Sequence, residues 1–209
     1  DDRRSEGTAE AGQKWKIDGA IDSFAKAIKL SPTNQESYFA LAEVYSETGR
    51  HKEALEKIRE YLGNTNMSAG AIIPNTAGAY LLSAHIYERS GDYPNAAAHY
   101  EKLLAMNQMN TNTLIAVLNN LACLYNDHLD KVDGAYSLAQ RAREMAPRVP
   151  SIAETLGWIV FSKGGYSRAL TLLHEAAVDP VLAEKPEYLY HVGMANYMLG
   201  AEEDARDAF

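Results

Sequence analysis

Residues 155–177 read TLGWIVFSKGGYSRALTLLHEAA. Apolar residues recur at three- and four-residue spacing on both sides of Gly164-Gly165, which predicts two amphipathic helices folded back at a glycine stop. Variants of this stretch recur along the chain. A small residue preceded in most cases by an apolar one appears as Leu41-Ala42, Ser83-Ala84, Leu121-Ala122, Leu156-Gly157 and Val192-Gly193. Three residues after it stand Tyr45, Tyr87, Tyr125, Val160 and Asn196. Twelve after it come Ala54, Ala96, Ala169 and Ala205, with Ala135 thirteen after in the fourth unit. Glycines fall between the two helices at Gly49, Gly91, Gly164 and Gly200, and prolines follow the second helices at Pro32, Pro147 and Pro180.

A small residue on the first helix lets its partner approach closely, and the glycine supplies a left-handed stop. One such hairpin cannot bury its stripe alone, so neighbouring hairpins must stack. Residues near Ala20, Phe24 and Ala27 give a second helix for a first unit. Its first helix, within residues 5–14, has only Thr8 and Ala11 at the small and aromatic positions.

These residues resemble the tetratricopeptide repeat (TPR) pattern over nearly the whole chain. The resemblance implies an all-α, right-handed superhelical solenoid of about six helix-turn-helix repeats. Their approximate spans are 5–33, 35–66, 77–109, 115–148, 150–181 and 186–209, the last cut short. The small positions, from Thr8 through Gly193, are 34, 42, 38, 35 and 36 residues apart. The longest gap places an insertion at 63–78, rich in turn formers yet carrying Ile72-Ile73-Pro74. It is expected to be a longer loop with an apolar pin, or a loop that closes over a groove or a partner. Residues 126–133 hold one extra residue in the fourth turn.

Composition narrows the function. The 209 residues are 46% hydrophobic and 23% charged, ordinary for a folded domain. A net charge of −8 weighs against nucleic acid and against anionic membrane surfaces, both of which select clustered Lys and Arg. It favours neutral to basic partners. A single cysteine, Cys123, excludes an internal disulfide and a cysteine metal cluster. No apolar run reaches transmembrane length, so direct membrane insertion is not expected. The chain opens DDRR and stops at Phe209 within a helical pattern, which suggests a fragment or processed form.

In the TPR family the first helices line a concave groove, and the resemblance implies the same use here. The stripe beside the buried one supplies Glu36, Phe39, Glu43 and Ser46 in the second unit, and Gly78, Leu81, His85 and Glu88 in the third. It supplies Ala116, Asn119, Cys123 and Asn126 in the fourth, Ser151, Glu154, Trp158 and Phe161 in the fifth, and Glu187, Tyr190, Met194 and Tyr197 in the sixth. The N-terminal half is acidic, with Glu47 beside the others. The C-terminal half is aromatic and soft, and Asn119, Asn120 and Asn126 between them can bond a peptide backbone. Trp158 and Phe161 have a competing use as packing for the next hairpin. No base stands two or three residues before any small position, so the family's carboxylate clamp is not expected.

No catalytic, cofactor or metal constellation emerges. His174-Glu175 lacks a second histidine at zinc spacing, and Gly164-Gly165 is a hairpin turn rather than a phosphate cradle. Cys123 has no base partner in sequence. His85 and His191 are placed near the groove as hydrogen-bonding residues. The expectation is a noncatalytic scaffold that binds a partly apolar peptide or protein segment. The alternatives are a self-assembly module forming homo-oligomers and a regulatory TPR domain of a larger enzyme. The run from Leu118 to Ala177 also resembles bacterial TPR proteins of exopolysaccharide and envelope systems. That similarity tilts the compartment from cytoplasm toward periplasm or envelope.

Overall fold

In the computed structural model, backbone is described for residues 2–67, 75–106 and 109–208, and side chains for 15–63, 75–106 and 109–208. Twelve helices and no strands occur among the described residues. They fall into two compact units, residues 1–103 and 104–209.

The N-terminal unit holds α1 (Asp2–Leu30), α2 (Gln35–Glu47), α3 (His51–Met67), α4 (Thr76–Arg89) and most of α5 (Tyr93–Met106). Helix α1 packs on α2, α2 on α3 and α3 on α4, and α2 also touches α4. The core is built from Tyr38, Leu41, Ile58, Tyr61 and Ile86, with Phe24 and Ile28 of α1 packed against it. The C-terminal unit holds α6 (Thr111–Asp127), α7 (Val132–Met145), α8 (Pro150–Ser162), α9 (Tyr166–Ala176), α10 (Pro180–Ala183), α11 (Pro186–Met198) and α12 (Glu202–Asp207). Here α6 packs on α7, α7 on α8 and α8 on α9. Helix α11 packs on α9 and α12, and α6, α8 and α11 also meet in sequence.

The repeat positions explain this packing. Ala42, Ala84 and Ala122 are fully buried, as are Ala54, Ala96, Ala135 and Ala169 across from them. At Gly157 a methyl group would stand 3.2 Å from the Ala169 carbonyl, Leu172 Cβ and Leu173 Cγ, so α8 and α9 approach as closely as a missing side chain allows. Each hairpin turn closes in the Schellman pattern. Gly49, Gly91, Gly164 and Gly200 have φ between 75° and 82°. Each donates to the carbonyl three residues back, and the following residue donates five back, as in Arg50 N–H to Tyr45 O at 2.7 Å.

The fourth turn lacks the glycine. The extra residue there puts Asp130 at φ 51°, and Lys131 N–H closes the wider loop on Tyr125 O at 2.8 Å. A short Asx side chain tolerates this left-handed conformation.

Two features depart from the sequence reading. The first unit is not a hairpin: α1 is one continuous helix of 29 residues. Trp15 stands where the other units have their turn glycine, so nothing supplies the left-handed stop. Its exposed indole lies on that uninterrupted helix. Thr8 and Ala11 lie outside the described side chains, as Ile72-Ile73-Pro74 lie outside the described residues. Pro180 does not act as a stop; it is the first residue of α10, whose N–H groups Asp179 caps at 3.0 and 3.3 Å.

Candidate functional site

The leading helices of the hairpins are α2, α4, α6, α8 and α11. Their starts are strongly specified. Asn34, Asn75 and Asn110 each accept a bond from the N–H three residues on, at 3.0, 2.8 and 2.9 Å. Helices α8 and α11 begin instead with Pro150 and Pro186 at the first helical position. These anchors fix the rotation of each helix and so the side chains it presents.

In the N-terminal unit much of the expected stripe is used in packing. Phe39 is half-buried and meets Tyr61 edge-on at 5.3 Å. Leu81 is half-buried, and Glu88 accepts the Tyr100 hydroxyl at 2.8 Å. Ser46 is buried rather than surface-lining, because the helix turns it toward the core. Glu36, Glu43, Glu47 and His85 remain exposed, and His85 meets Tyr100 at 6.1 Å. A cleft of about 620 Å³ in this unit lies at the hairpin turns instead, lined by Arg50, Lys52, Arg59, Tyr87 and Asp92 among others.

The C-terminal unit gathers its side chains differently. Trp158 of α8 stacks on Phe161 at 4.7 Å and on His191 of α11 at 4.1 Å, and Tyr190 meets it edge-on at 5.9 Å. Aromatic pairs of this kind contribute about 0.5–1.5 kcal/mol beyond area burial. The indole Nε1 donates to Asp127 of α6 at 3.2 Å. His191 Nδ1 bonds Glu154 of α8 at 2.5 Å, with both side chains largely enclosed. Cys123 Sγ lies 3.5 Å from Thr155 Oγ1. Between these groups is a cleft of about 40 Å³ lined by Cys123, Asn126, Asp127, Glu154, Trp158 and His191. It is far below the roughly 300 Å³ of a small-molecule pocket.

Of the fifteen expected partner-binding residues, the structure brings together Glu154, Trp158, Phe161 and Tyr190, with Asn126 beside them. Tyr190 and Tyr197 are exposed at 47% and 63%, and Met194 is half-buried. Asn119 and Asn126 each hold an enclosed, unpartnered Oδ1, and Asn120 is half-buried with a partner of its own. The sequence reading missed Asp127 and assigned His191 no partner. The signal was present: Asp127–Trp158 and Glu154–His191 are separated by 31 and 37 residues, about one repeat, the spacing that brings adjacent leading helices into register.

Charge is partitioned between helix types. The leading helices carry Glu36, Glu43 and Glu47 on α2, then Glu88, Asp127, Glu154 and Glu187 one per helix, against the single base Arg89. The following helices α3, α5, α7 and α9 are balanced, with pairs such as Lys57–Glu60 at 2.7 Å and Arg143–Glu175. No group of three or more His, Cys, Asp or Glu among the described residues is arranged to hold a metal, and no described helix is long and apolar enough to cross a membrane.

Hairpins with a small residue packed on alanine, closed by a left-handed glycine and stacked in series, define a helical-repeat protein. Models of the tetratricopeptide repeat match residues 23–56 and 79–110. The chain carries tetratricopeptide repeats. Its fold is that of a protein–protein interaction scaffold. The crystal structure of BtubC (BKLC) from P. vanneervenii superimposes with a TM-score of 0.73 at 21% identity, over 92% of this chain and 85% of that one. YrrB, a TPR protein with an unusual peptide-binding site, aligns with a TM-score of 0.63 at 20% identity, over 90% and 89% of the two chains. BBSome complex member BBS4 of Bos taurus is 28% identical over 164 residues, or 78% of this chain. The match spans 29% of that protein, so the chain covers under a third of this curated relative.

Proposed function

We propose that the chain is a noncatalytic scaffold whose α6–α8–α11 face captures an extended, partly apolar, neutral to basic segment of a partner protein. The observation that carries this reading is the aromatic cluster around Trp158. It combines half-buried stacked rings, which hold the surface rigid, with Tyr190 and Tyr197 left substantially exposed on α11. Large aromatics at a preorganised surface are the residues that dominate interface energetics. The likeness to YrrB, a peptide-binding TPR protein, supports the same use.

Panning the immobilised protein against a random dodecapeptide phage library tests this. Selected peptides are expected to bind the folded Tyr190→Ala/Tyr197→Ala variant at least about tenfold more weakly. Undiminished binding to that variant, at unchanged helicity, would remove the face from the reading.

A second reading, self-assembly, draws on the exposed Leu189, Met198 and Leu199 beside those tyrosines. A mass by light scattering that stays monomeric at high protein concentration would eliminate it.

A further inference from the structure

The cleft between α6, α8 and α11 has a chemistry that the binding reading does not by itself require. Its polar walls present acceptors. Asp127 is held by Trp158 Nε1 and by Asn126 Nδ2, the latter at 2.7 Å, and Glu154 is held by His191. The bond from Nδ2 fixes the Asn126 amide and leaves its Oδ1 enclosed without a partner. Neither carboxylate is paired with a lysine or arginine among the described residues. Indeed α6, α8 and α11 contain three acids, Asp127, Glu154 and Glu187, and no lysine or arginine. Two held carboxylates at a small cleft, Glu154 largely enclosed and Asp127 exposed at its rim, select a cation that brings several N–H donors.

Size narrows the choice. A volume of about 40 Å³ corresponds to roughly three water sites at ~10–15 Å³ each. That admits an ammonium or the edge of a guanidinium and excludes an aromatic or branched apolar side chain. The exposed ring of Tyr190, edge-on to Trp158, offers an apolar surface to the aliphatic stem of such a residue.

We infer that this cleft is a specificity pocket for the side-chain cation of one lysine or arginine on the captured segment, with Asp127 and Glu154 as its counter-charges. The inference rests on the α6–α8–α11 face being the capture surface. It adds a requirement for one basic side chain at a fixed place in the segment. A net charge of −8 alone would favour basic partners without fixing any position.

Peptides selected from the same library on the wild-type protein decide it. Aligned sequences are expected to share a lysine or arginine at one position. Replacing that arginine by citrulline, or lysine by acetyl-lysine, keeps the shape and removes the charge. It should weaken binding by about tenfold or more. Glu154→Gln/Asp127→Asn should reproduce that loss for the charged peptide and add none for the neutral one, since glutamine still bonds His191. Selected peptides without a common basic position, or equal binding of the citrulline form, would overturn the cation pocket and leave the capture surface standing. Peptides that ignore Tyr190→Ala/Tyr197→Ala, or no enrichment over bare support, would overturn both. The citrulline comparison on unaltered protein keeps the test decisive even if the double variant fails to fold.

Discussion

The same register position does opposite work in the two units. In the N-terminal unit the ring at three before the small residue, Phe39, is folded against Tyr61, and Glu88 is engaged by the buried Tyr100. In the C-terminal unit Tyr190, at the equivalent position, stays 47% exposed beside a stacked Trp158. The difference follows from what each following helix offers. Tyr61 of α3 reaches over to fill the N-terminal site. The helix that follows α11, α12, has no aromatic side chain to do the same for Tyr190, which packs edge-on against Trp158 of α8 instead. A repeat therefore conserves spacing without conserving use, and the exposed recesses differ accordingly. The N-terminal one sits at the turns with several bases, and the C-terminal one sits between leading helices with acids.

The sharpest way to break this comparison is a pair of truncations. Phe39→Ala is expected to cost about 2–3 kcal/mol in urea unfolding, because it opens a hole beside Tyr61, while leaving capture of selected peptides intact. Tyr190→Ala should change stability by less than about 1 kcal/mol and weaken capture. The reverse outcome would show that the two positions had been assigned the wrong way round. A smaller effect comes from Tyr100→Phe, which removes the hydroxyl that holds Glu88. About 1 kcal/mol should be lost in the same assay, with peptide capture unaffected.

The smallest effect concerns His99, which meets Tyr80 and Tyr87 edge-on at 5.2 and 5.1 Å. Burial lowers its pKa from the ordinary 6.5, with Lys102 and Arg59 acting in the same direction. The unfolded chain takes up the proton first as pH falls, so the contribution to stability is fully present above pH 6.5 and is lost below it. His99→Gln should therefore flatten the decline in urea midpoint between about pH 7 and pH 5. An unchanged slope would show that His99 is not the titrating group.

The repeat was legible because it is written in small residues and glycines at fixed intervals, and all the small and facing alanine positions from Ala42 to Ala205 lie in the core. The continuous α1 was legible in principle through Trp15 at a glycine position. The site was legible only in outline. Spacing placed Trp158 and Tyr190 on leading helices, but it could not tell that Phe39 would be drawn onto Tyr61. Nor could it pair Asp127 with Trp158, because that bond joins different hairpins and depends on how far α6 extends before its wide turn.

A capture surface on the leading helices of the C-terminal unit would shield those helices when a peptide binds. Amide hydrogen–deuterium exchange with and without a selected peptide tests it most directly. Slowed exchange is expected in α6, α8 and α11, with no change in α7 and α9. Protection confined to α7 and α9, or to the N-terminal unit, would contradict it.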